Sequence, residues 1–92
     1  MNDLKYIYDS LKNVYNIKLT TTLELNDGYT IDTPVISGES EGGVFDLYED
    51  DGMFIFAYEL FNKEGKERYS HLHPYDSKQA MEFIKEFMMR KT

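Results

Sequence analysis

Helical periodicity occurs at the two ends of this chain and nowhere between them, which restricts the sheet it can build. Leu4, Ile7, Tyr8, Leu11, Val14 and Tyr15 fall on one helical stripe that Asn2 or Asp3 can cap and Asn16 can end. Ala80, Phe83, Ile84, Phe87 and Met88 form a second stripe, behind Asp76 at the cap position and Gln79 at capping-box spacing. Between the stripes the pattern has the period of strands. Parallel strands need a crossover of about a dozen residues or more, usually a helix, and none is available here. The chain therefore reads as α+β in the order α-β-β-β-β-β-α. The sheet is a five-stranded antiparallel meander, and the N- and C-terminal helices pack on one of its faces.

The strands are separated by turn signals that set register. Leu19, Thr21, Leu23 and Leu25 alternate with polar residues, and a three-residue turn with Gly28 left-handed pairs Leu25 with Tyr29, Leu23 with Ile31 and Leu19 with Val35. Pro34 lies in the second strand, so an exposed edge or a bulge is expected there. Ser37 to Gly43 reads as a polar, flexible loop. Asp51-Gly52 is a two-residue turn that pairs Leu47 with Phe56 and Phe45 with Tyr58. The run Met53 to Phe61 is apolar on both faces and takes a central place. Asn62 to Gly65 leads into a fifth strand, Lys66 to His73, with Glu59 opposite Arg68, Tyr58 opposite Tyr69 and Ile55 opposite Leu72.

These registers divide the later strands into two faces. Phe45, Leu47, Phe54, Phe56, Tyr58 and Leu60 go under the helices. Val44, Asp46, Tyr48, Ile55, Ala57, Glu59, Arg68, Ser70 and Leu72 are left on the other side, which is less polar than a wet sheet face usually is. Tyr48, Ile55 and Leu72 would form an aromatic and apolar patch rimmed by Asp46 and Glu59, with Asp50 and Asp51 at the neighbouring hairpin tip. Such a patch marks a protein-binding surface unless the Ser37–Gly43 loop or a second copy of the chain covers it.

Charge separates along the chain. Ten acidic residues and no Lys or Arg lie between Leu19 and Asn62, while the flanks carry all ten basic residues against seven acidic ones. The middle is thus −10 and the flanks +3, summing to the net −7. Phosphate backbones require Lys and Arg, so nucleic acid is not expected, and a basic protein is the natural complement. With 92 residues the chain is expected to be a single domain, 1–92, and 41% hydrophobic residues exclude low-hydrophobicity disorder. No cysteine is present, so disulfide and thiolate chemistry are excluded. The start of the chain lacks a signal-peptide pattern and no apolar run is long enough to span a bilayer; a cytoplasmic protein without membrane contact is expected.

Four motifs invite chemistry and fail on context. Gly38-Glu39-Ser40-Glu41-Gly42 matches G-x-S-x-G, but a nucleophile elbow needs a helix after it and a strand pattern follows. Asp46 with Asp50-Asp51-Gly52 lacks calcium-loop spacing and its closing Glu. Glu39, Glu41, Asp50 and Asp51 show no sign of the burial that acid–base tuning needs. Met81, Met88 and Met89 fit core and helix shoulder. His71 and His73 share a strand face beside Phe54 and Phe56, and a metal would need further ligands from carboxylates. The expectation is a non-enzymatic protein-binding module without cofactor, in the manner of an inhibitor or immunity protein for a basic partner. The alternative is a homodimeric small-ligand or metal-binding protein with its site near His71 and His73.

Overall fold

A computed structural model describes residues 3–24, 28–61 and 67–89, with the backbone alone at 67–69. Helix α1 spans Asp3–Leu11, followed by strands β1 (Ile17–Glu24), β2 (Thr30–Ser40), β3 (Gly43–Asp50), β4 (Met53–Phe61) and β5 (Glu67–Leu72), and by helix α2 (Ser77–Met88). The five strands form one antiparallel sheet in sequential order β1-β2-β3-β4-β5. The expected α+β meander is the observed fold.

Both helices lie on one face. Leu4, Ile7 and Leu11 of α1 and Ala80, Ile84 and Phe87 of α2 join Ile17, Ile36, Phe45, Leu47 and Phe56 in the main core. Aromatic rings dominate it. Phe56 stacks on Phe45 with ring centroids 5.0 Å apart, and Phe87 meets both rings edge-on. Helix α1 ends earlier than its stripe suggests: Val14 and Tyr15 donate to the Leu11 carbonyl in a terminal turn, leaving Val14 exposed while Tyr15 packs on the core. Helix α2 begins as expected, with Asp76 accepting from the Gln79 backbone N–H at 2.9 Å. The Gln79 side chain accepts from Tyr75 N–H, one residue before the cap, so the box closes one position early.

The β3–β4 hairpin has the expected register, with Leu47 opposite Phe56 and Phe45 opposite Tyr58. Its turn residues Asp51 and Gly52 both take positive φ, 52° and 78°, as a two-residue hairpin turn of this kind requires. In the first hairpin Leu23 pairs with Ile31 and Gly28 has a φ of 88°, as expected; the pairing of Leu25 with Tyr29 lies outside the described residues. At Pro34 the register shifts. Thr20 pairs with Val35 but Thr22 with Asp32, so Thr33 and Pro34 oppose the single residue Thr21. Leu19 consequently pairs with Ile36 and not with Val35. Pro34 also lies beyond the reach of β3, which pairs with β2 only from Val35 to Ser40. A residue without an N–H is tolerated where no ladder bond is asked of it.

Two further expectations are overturned. The segment Ser37–Gly43 is no loop: β2 continues to Ser40 and turns directly into β3 at Gly43. Gly38 and Gly43 serve close packing. A Cβ at Gly38 would collide with the ring of Phe45 across the strand pair, and one at Gly43 would collide with the Glu59 carbonyl. Strand β5 is paired one residue away from the expected register. Phe56 faces Leu72, Ala57 faces His71 and Glu59 faces Tyr69, while Arg68 lies opposite Leu60. Because side chains alternate across a strand, a slip of one residue exchanges the two faces of β5.

Candidate functional site

The face away from the helices is built from three rows across the sheet. One runs Lys18, Ser37, Asp46, Ala57, His71. On one side of it lies Thr20, Val35, Tyr48, Ile55, and on the other Glu39, Val44, Glu59. Val35 and Ala57 are buried although no helix covers them, and neither belongs to the main core. Leu23 is likewise buried outside that core. The outer part of the first hairpin, beyond the bulge, extends past β3, and a bulge sharpens local twist. From this arm Leu23 and Glu24 join Ser37, Asp46, Tyr48, Ala57 and Glu59 around a hollow of about 470 Å³ on the open face.

The hollow is acidic. Among the described residues, Glu24, Glu39, Asp46 and Glu59 line it with Lys18, four carboxylates and one ammonium. Val44, Ala57, Tyr48 and Leu23 supply its apolar surface. Asp46 is half-buried and fixed, because the Ser37 hydroxyl donates to its Oδ1 at 2.6 Å.

Of the residues that the sequence singled out, Asp46, Tyr48 and Glu59 line this hollow together, and Ile55 lies beside Tyr48 on the same face. Leu72 does not join them. Opposite Phe56, it occupies a position on the helix side of the sheet, and at the β5 edge it stays 41% exposed. Asp50 and Asp51 sit at the β3–β4 tip, exposed and outside the hollow's lining. Leu23, Glu24, Ser37, Glu39 and Ala57 belong to the site without having been singled out for it. The Pro34 bulge at the base of the arm was the available signal for the first two.

His71 and His73 part company. His71 lies opposite Ala57 on the open-face row and not beside Phe56, whereas His73 follows the end of β5 and lines a second hollow with Met53, Tyr75 and Asp76. Asp76 there is engaged as the α2 cap. Among the described residues no group of three or more His, Cys, Asp or Glu is placed to hold a metal ion. No described helix is long and apolar enough to cross a membrane. No protein-family model matches the chain, and neither a curated protein nor a solved structure does. The functional reading rests on the residues themselves.

Proposed function

We propose that the chain is a non-enzymatic, cytoplasmic protein-binding module whose helix-free sheet face receives a basic protein, as an inhibitor or immunity-type protein would. The observation that carries this reading is the hollow itself: among the described residues, four carboxylates and one ammonium surround an apolar floor on the helix-free sheet face. Complementary charge guides encounter, and buried aromatic or aliphatic contacts supply most of the holding energy. Asp46 and Glu59 provide the first, Tyr48 and Ile55 the second. Leu72 drops out of the site for the register reason above, and Glu24 and Glu39 enter it.

The test compares capture of cellular proteins at low ionic strength by the wild-type chain and by two charge variants. One variant combines Glu39→Gln, Asp46→Asn and Glu59→Gln; the other combines Asp50→Asn and Asp51→Asn. A basic protein retained by the wild type and by the tip variant, but lost by the hollow variant, is the expected result. If no captured protein distinguishes the hollow variant from the wild type, the reading fails.

A further inference from the structure

We infer that the hollow is a guanidinium site, so that the partner docks by inserting an arginine side chain from an extended segment. This rests on the reading of the open face as the site for a basic partner, and it specifies what that partner presents.

The hollow lies beside a fixed carboxylate. Ala57 is the direct cross-strand neighbour of Asp46 and belongs to the lining of the hollow, to which it contributes only a methyl group. Ser37 takes one acceptor site of Asp46 and thereby orients the carboxylate. A carboxylate offers about four such sites, so acceptor capacity remains for a ligand. Glu39 and Glu59 flank Val44 in the next row, each diagonal to Asp46. Diagonal positions on a sheet lie roughly 7 Å apart.

That spread of charge selects the ligand. No three of the described acids and histidines converge on a metal position, so the hollow does not focus charge on a compact ion. A planar, delocalised guanidinium with about five donors can instead satisfy separated acceptors at once, and its face can stack on an aromatic ring. Tyr48 is the next residue along β3 on this face after Asp46. Lys18 is the cation among the described lining residues, but it lies two strands from Asp46 in the same row, about 10 Å away by strand spacing, and marks the opposite end. The volume of about 470 Å³ falls within the roughly 300–1,000 Å³ usual for ligand sites. Tyr48 and Ile55 continue the surface as an apolar strip, which gives the residues flanking an arginine somewhere to lie.

The test is a titration of the isotopically labelled chain, followed by amide NMR at low ionic strength, with acetyl-Leu-Arg-Leu-amide as probe. Saturable shifts at Ser37, Asp46 and Ala57 are expected. The neutral citrulline counterpart should bind at least about tenfold more weakly, since a hydrogen bond to a charged group is worth ~1.5–3 kcal/mol. Asp46→Asn, which keeps an oxygen for the Ser37 hydroxyl, should lose affinity to a similar extent. Ala57→Leu, which enlarges a residue of the lining without changing charge, should block binding in a chain whose amide dispersion still shows the folded sheet. Acetylarginine amide should bind more weakly than the tripeptide. Citrulline binding as tightly as arginine, unaltered binding by Ala57→Leu, or equal binding of the free amino-acid amide would overturn the proposal. So would equal binding of the lysine tripeptide, or shifts centred on Asp50 and Asp51. A lysine result of that kind would leave the basic-partner reading standing, and the capture experiment judges that reading independently.

Discussion

Gly38 shows how one residue without a side chain lets an aromatic ring settle in the core. The ring of Phe45 lies over it on the helix side, held in turn by Phe56 at 5.0 Å and Phe87 at 5.3 Å between centroids. Neither neighbour leaves the ring free to move aside. Gly38→Ala is therefore expected to destabilise the fold by about 1–3 kcal/mol, the usual cost of overpacking a filled core, measured by urea denaturation. An unchanged midpoint would mean that the ring shifts freely. At Asp76 a smaller effect is expected: removing the cap oxygen that Gln79 N–H donates to costs about 1 kcal/mol in Asp76→Ala. Tyr48 differs from both, being half-buried on the open face. Tyr48→Ala should leave the fold intact and speed dissociation of a bound partner, with a loss on the order of 2 kcal/mol. Surface kinetics would read this directly.

At the scale of elements, the hairpins differ in how firmly their turns specify pairing. Asp51-Gly52 admits one tight turn, so the β3–β4 register and the face assignment of Tyr48, Ile55 and Asp46 were legible from residues alone. The β4–β5 connection carries no such constraint. Phe61 pairs with Glu67, five residues apart in the connection where four were expected, and that single residue moves Leu72 to the helix side and His71 to the open face. Ser37–Gly43 misled for a different reason, since glycines chosen for close approach resemble glycines chosen for flexibility until the facing strand is known. The arm was only half legible: Pro34 announced a break, but where the strand beyond it would go depends on the twist. The arm yields its own prediction. Leu23→Ala empties a buried position of the arm, so amide exchange at Thr22–Glu24 and Thr30–Asp32 should accelerate well beyond that of the β3–β4 hairpin. Uniform acceleration throughout the sheet would show that the arm is not a separate unit.

Across the whole molecule, the helices take one face of the sheet and the acidic, partly aromatic surface takes the other. The sequence already carried the charge segregation, −10 in the middle and +3 in the flanks, whereas the hollow that concentrates it depends on the fold. Exposed charges are screened over about 10 Å at 0.1 M salt, so those at the Asp50–Asp51 tip act on encounter more than on holding. Asp50→Asn with Asp51→Asn should slow association with a basic partner and flatten its salt dependence, leaving dissociation nearly unchanged. Kinetics at two ionic strengths would check this. The most direct test of the central claim is carboxylate footprinting by carbodiimide labelling, read by mass spectrometry, with and without a bound basic protein. Protection of Glu24, Glu39, Asp46 and Glu59, with Asp50 and Asp51 still labelled, is the result this account predicts. Protection of Asp50 and Asp51 with Asp46 and Glu59 labelled as in the free chain would contradict it and move the interface to the hairpin tip.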